Sequence, residues 1–200
     1  MSETVVERAF TGEDWYGEDL SGRNYQGCSF NDVDLTESIS ESAVFDHCAF
    51  ANVRLNASQH HDSAFTSCTF RRCNLFDVEF TGCKLVGTSF AESTLRPLRV
   101  RGGDWSFVAL PGADLRGAHF VDVRLREADL TGANCQSSIF VDVDLSGAQL
   151  RNSKFGHTDL RGSDLSAFDP FNVELKDAII TPEQAAALAR ALGVTVRARD

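Results

Sequence analysis

Cys28, Cys48 and Cys68 stand twenty residues apart, His60 and His61 lie side by side between Ser58 and Ser63, and Asp-x-Asp strings occur at Asp32-Val33-Asp34 and Asp142-Val143-Asp144. These are the groups with chemistry in them. Thiols bridge, bind zinc or act as nucleophiles, imidazoles ligate metals and move protons, and paired carboxylates hold calcium. None has the company such chemistry requires. The Asp-x-Asp strings lack the Gly and the distal Glu of a calcium loop. No phosphate loop, metal-ligand spacing or nucleophile–base arrangement accompanies them. The chain is expected not to be an enzyme and to use no metal or cofactor.

What positions these residues is a period of five. Every fifth residue from Phe10 to Leu165 falls in one phase, and of these 32 centres 29 are Phe, Leu, Trp, Tyr or Val; Ser40, His60 and Cys135 are the others. Five fits neither a helix at 3.6 nor a strand at 2, and a fixed short repeat is the signature of a solenoid. Two residues before each centre from 28 to 163 the side chain is small, with Leu98 the one large exception, and twelve of the fifteen glycines lie two residues after a centre. Such a glycine suits a turn that needs positive φ. The unit is A-(D/N)-(L/F)-x-G, as in Ala113-Asp114-Leu115-Arg116-Gly117. Cys28, Cys48, Cys68, Cys73 and Cys83 fill the small position and Cys135 is a centre, so the thiols are expected to be small packing groups rather than disulfides.

This unit is similar to that of the pentapeptide repeat proteins, over nearly the whole chain. The resemblance implies an all-β fold, a right-handed quadrilateral β-helix with twenty residues per coil. About eight such coils, stacked about 4.8 Å apart, make a rod about 38 Å long. Residues 1–170 would form the β-helix and 171–200 a capping and dimerisation segment with a short α-helix at about 182–192. In twenty-residue columns, Phe10, Phe30, Phe50, Phe70 and Phe90 share one interior line, and Leu20, Ser40, His60 and Phe80 another. Ser40 and His60 then either satisfy each other or mark a slip of the coil that turns Ile39 inward.

Net charge is −10, which argues against direct nucleic-acid binding. The acid is uneven. One face of the columns gathers Glu18, Asp19, Glu41, Asp62, Glu79, Asp122, Asp142 and Asp159 against Arg99, Arg101 and Arg161, a net near −5. The opposite face has Arg8, Arg71, Arg72 and Arg151 against Asp32, Glu92 and Asp129, near +1. The single disturbance of the repeat is Arg96-Pro97-Leu98, with Gly102-Gly103 after it, where a kink or bulge is expected.

Beyond Pro170 the chain changes character. Thr181-Pro182-Glu183-Gln184 is a helix start, with a capping residue, Pro at the first position and Gln three after the cap, and Val194-Thr195-Val196 suits a short strand. Phe168, Phe171, Val173, Leu175, Ile179, Ile180, Leu188, Leu192 and Val194 offer more apolar surface than one small helix covers, so a self-complementary homodimer contact is expected at this end. No run is apolar enough to span a membrane, the first ten residues lack a signal-peptide core, and a cytoplasmic protein is expected.

The strings Ser58-Gln59-His60-His61-Asp62, Leu95-Arg96-Pro97-Leu98 and Asp114-Leu115-Arg116-Gly117, with the terminal Thr181-Pro182-Glu183-Gln184, resemble the fluoroquinolone-resistance branch of that family. That resemblance implies a dimeric DNA mimic that binds DNA gyrase at its DNA-binding saddle; the sequence leaves open whether topoisomerase IV is a target as well or instead. Some members carry projecting loops that help to protect gyrase; here no phase-shifting loop interrupts residues 10–165, which favours competition with DNA. The alternatives are an interaction scaffold with another partner and a self-immunity protein. On the acidic face, Asp122, Asp142 and Asp159 are expected to matter most, being nearest the proposed two-fold.

Overall fold

The computed structural model describes residues 4–197; the outermost residues of the two expected segments, 1–3 and 198–200, lie outside the described residues. The chain winds into a β-solenoid whose strands are mostly three residues long and pair in parallel, always with the residue twenty positions on: Thr4 with Asn24, Phe10 with Phe30, Ser40 with His60. Three faces of the shaft carry sheets of four, five and six strands, and the fourth, through Trp15, is joined by single bridges such as Asp14 to Asp34. On the Leu20 face the pairing runs without a break from Asp19 to Ile179. Eight coil-to-coil steps lie along it, as the repeat predicts.

The five-residue period follows from the corners. From Glu7 to Gly162 the residue two after a centre takes left-handed φ, for example 54° at Asp32 and 68° at Gly82, except at Pro97. A glycine does this without steric cost, and a short polar residue at modest cost. At Gly103, in the small position just past a corner, the approach to backbone is close: a Cβ would stand 2.1 Å from the Cys83 carbonyl oxygen. Between corners the centre and the small residue face the shaft, and the rest face water.

The large centres stack. Phe10, Phe30, Phe50, Phe70 and Phe90 lie ring over ring with centroids 4.5–4.9 Å apart, the coil spacing itself. Each pair adds about 0.5–1.5 kcal/mol beyond burial. The small position does more than avoid a clash. Cys48, Cys68, Cys73 and Cys83 each donate their thiol to the carbonyl of a centre 23 residues earlier, at 3.2–3.5 Å, and Thr158 and Ser163 do the same with hydroxyls at 2.6 and 2.7 Å. The six cysteines are buried free thiols, and burial pushes Cys73 and Cys83 up to about 11.

Ser40 and His60 do not slip the coil. Ile39 stays exposed while Ser40 and His60 are buried in register. Ser40 Oγ meets His60 Nδ1 at 2.8 Å and Ser63 Oγ at 2.9 Å, and Ser58 Oγ meets His60 Nε2 at 3.0 Å. The imidazole stacks on Phe80 at 5.0 Å.

Pairing continues past residue 170, through Lys154 with Glu174 and Asp159 with Ile179, before the helix Pro182–Ala191. Thr181 and Gln184 form a reciprocal capping box. Gln184 does a second job: its Oε1 accepts the Thr181 N–H and its Nε2 donates to the carbonyls of Leu160 and Ser163, each at 2.7 Å. At Ser163 the carboxamide stands in for the backbone N–H that a further coil would supply, as Lys84 supplies it to Ser63. The strand expected at Val194-Thr195-Val196 does not form; that segment is irregular and exposed.

Candidate acidic interaction face

The unbroken twenty-residue register places Glu18, Asp19, Glu41, Asp62, Glu79, Asp122, Asp142 and Asp159 along the Leu20 face, and it makes Asp122 and Asp142 neighbours one coil apart through the pairing of Val121 with Val141. The corner geometry turns Asp62, Asp122 and Asp142 outward at left-handed φ of 45–57°. Asp62 and Asp142 then lean over Gly82 and Gly162, where any Cβ would collide with the carboxylate at about 2 Å. A glycine on the next coil is therefore part of how these acids are presented.

The eight acids are not electrostatically equal. Glu18 pairs with Arg23 at 3.2 Å, Glu79 with Arg99 at 3.1 Å, and Asp159 with Arg161 at 2.6 Å. Hydrogen bonding from Arg161 holds the Asp159 carboxyl below the usual carboxylate range, and Ser21 does so for Asp19. Among the described residues Asp19, Glu41, Asp62, Asp122 and Asp142 carry no ion pair, so they project uncompensated charge. Asp159, expected to rank with Asp122 and Asp142, spends its charge on its own neighbour. Arg99 and Arg101 divide the stripe into two acidic stretches, and Arg99 is itself tied to Asp77 and Glu79.

Two acids escaped the column count. At the corner beside Asp142 a shallow cavity of about 510 Å³ brings Asp144 and Asp164 next to Arg126 and Gly162. Asp144 pairs with Arg126; burial raises its carboxyl, but the bonds from Ser146 and Arg126 outweigh that and hold it low. The signal was present in the string Asp142-Val143-Asp144, whose members flank a corner and so face two sides of it.

The apolar residues at the C-terminal end divide. Phe168 and Val173 are buried in the shaft, and Leu175, Ile180 and Leu188 pack half-buried against it. Phe168 and Val173 are thereby removed from the expected dimer contact, because the coil continues past Pro170 and uses them as core. Phe171, Ile179, Leu192 and Val194 remain exposed, Phe171 to 78%.

Among the described residues no cluster of His, Cys, Asp or Glu is placed to hold a metal, and no helix is long and apolar enough to cross a membrane. Comparison with known proteins gives the same architecture. A family model described as a pentapeptide repeat region matches residues 73–150. The chain is 34% identical over 103 residues to the pentapeptide repeat protein MfpA of Mycobacterium tuberculosis, covering 52% of this chain and 54% of that protein. It is 36% identical over 62 residues to MfpA of Mycolicibacterium smegmatis, covering 31% of this chain and 30% of that one. The matched stretches thus span about half or less of these relatives' lengths. Among solved structures, QnrB1, described as a plasmid-mediated fluoroquinolone resistance protein, superposes with a TM-score of 0.57 at 19% identity, over 96% of this chain and 100% of that one. That likeness carries the fold. The five-residue period, the twenty-residue coils and these likenesses agree: residues 73–150 form a pentapeptide repeat region, within a β-solenoid of the fold that QnrB1 shares.

Proposed function

We propose that the chain is a DNA mimic directed at DNA gyrase: a homodimer joined at its C-terminal ends that occupies the enzyme's DNA-binding saddle, inhibits it and so confers fluoroquinolone resistance. The observation that carries this reading is the acidic face, with Asp122 and Asp142 exposed, one coil apart and free of ion pairs. The similarity to MfpA and the fold shared with QnrB1 support it, as does a shaft with no projecting loop. A rod about 38 Å long with a net near −5 on one side carries far less charge than duplex DNA, at one per about 1.7 Å. The mimicry is one of shape and sign, and docking on a basic saddle is steered by charge and weakened by salt.

The test is a gyrase supercoiling assay with the protein titrated in, with and without ciprofloxacin, at two salt concentrations. Salt-sensitive inhibition with fewer drug-stabilised cleavage complexes is expected, and Asp122→Lys with Asp142→Lys should abolish it while the circular dichroism of the β-helix is retained. Inhibition that survives the reversal removes the acidic face as the site. No inhibition by the unaltered protein overturns the reading.

A further inference from the structure

The proline disturbance lies beneath a second surface, unlike the acidic one. From Glu7 to Gly162 every residue two after a centre has left-handed φ, with Pro97 the one exception. The pyrrolidine ring locks φ near −65°, so this corner cannot be built in the common way. The consequence appears on the Trp15 face. Asn74 bridges Thr94 and Asp114 bridges Asn134, but no bridge joins Thr94 to Asp114. The bonds that close the rung before it, Leu75 N–H to the Thr94 carbonyl and Thr94 N–H to the Cys73 carbonyl, have no counterpart at Leu95 and Asp114.

Over this opened rung lies a groove of about 840 Å³, with Phe76 and Pro97 at one end, Arg96, Asp114 and Arg116 in the middle and His157 at the other. From Phe76 to His157 it crosses four coil spacings, about 19 Å. That is the length of a six-residue extended segment at about 3.3 Å per residue. Phe76 is 50% exposed, which makes an unfilled apolar contact at the groove's end.

The charge of the groove is opposite to that of the protein. Two guanidiniums share one carboxylate. Arg116 takes Asp114 with both Nε and Nη2, at 2.8 and 2.6 Å, and leaves Arg96 a single long contact at 3.4 Å. Arg96, half-exposed, keeps the rest of its donors for another anion, in a chain whose net charge is −10. A planar guanidinium beside an exposed aromatic and a proline fits a carboxylate adjacent to a bulky apolar side chain.

We propose that this groove binds an extended acidic peptide segment of a partner protein, with a carboxylate on Arg96 and an aromatic or aliphatic side chain against Phe76 and Pro97. The site is separate from the acidic face and stands whether or not gyrase is the target of that face.

The probe is the fluorescein-labelled peptide Glu-Asp-Phe-Glu-Asp, followed by anisotropy as the protein is titrated. Saturable binding is expected, weakened about tenfold or more by Arg96→Glu and by Phe76→Ser. Arg151→Glu makes the same change in net charge on the Phe10 face and should leave binding unaltered. A labelled single-stranded oligonucleotide serves as the competing anion. Absence of saturable peptide binding, an equal loss with Arg151→Glu, or tighter binding of the oligonucleotide would each overturn the proposal. Matching thermal melts of the variants confirm that folding is not what is being read.

Discussion

His60 makes the stability of the shaft depend on pH in a way that can be isolated. The imidazole is buried between Ser40 and Ser58, with Phe80 stacked on its ring and no carboxylate in contact. Burial, with a small contribution from the charge on His61, pushes it from 6.5 down to about 3. Its folded-state value thus lies below the unfolded one. Between these values the unfolded chain binds the extra proton, so stability is intact above pH 6.5 and is lost as pH falls toward 3. At pH 5 the penalty covers the 1.5 pH units below 6.5; at 1.36 kcal/mol each that is about 2 kcal/mol. His60→Phe removes the titration and fits a column whose next member is Phe80, while adding Ser58→Ala removes the hydroxyl that would lose its partner; Ser40 keeps Ser63. Urea denaturation at pH 7.5 and pH 5 should show the unaltered protein losing about 2 kcal/mol more than the double variant. The pH-independent cost of the substitutions and the titration of the surface carboxylates cancel in that difference. An equal loss in both proteins would mean that His60 is not held neutral by burial, and the reasoning would fail.

Two further outcomes follow from the C-terminal end. Gln184→Ala strips the Ser163 carbonyl of its donor, leaves the Leu160 carbonyl with the Ser163 N–H alone and breaks the capping box, which should cost about 1–3 kcal/mol in chemical denaturation; Glu183→Ala, which caps nothing in the shaft, should cost much less. Phe171→Asp with Leu192→Asp places charge on two of the exposed apolar residues at that end and should yield monomers by light scattering. A variant that remains dimeric would place the contact elsewhere.

The fold was legible because one residue in five carries most of the information. Phe10 through Leu165 announce the shaft, and the glycines two after each centre announce its corners. Less legible was whatever depends on which neighbour sits a coil away. Ser40 and His60 were ambiguous in the sequence because only the register, with Ser58 and Ser63 added, decides between a network and a slip. The cysteines read as small fillers, and their thiol bonds to carbonyls 23 residues earlier emerge only once the coil sets one small residue over the centre below it. Asp159 looked equivalent to Asp142 until Arg161 was seen to fold back onto it. Phe168 and Val173 read as dimer-contact residues because Pro170 occupies a centre, yet backbone pairing at Glu174 and Ile179 carries the coil past it and uses them as core. The acids of the face were found by counting in twenties. Their strength as a site depends on side-chain pairing that counting does not show.

Gln184 has a meaning beyond stability. A stack of parallel rungs has no intrinsic length, since each exposed edge is a template for another, and this is the geometry by which fibrils grow. By giving the Ser163 carbonyl a side-chain donor, Gln184 fills with its carboxamide one of the places where the backbone of another copy would bond. The helix that begins at Pro182 then starts where the next strand would run. At that corner a partner meets a finished cap instead of a strand edge, a geometry that favours a closed contact over an open-ended stack.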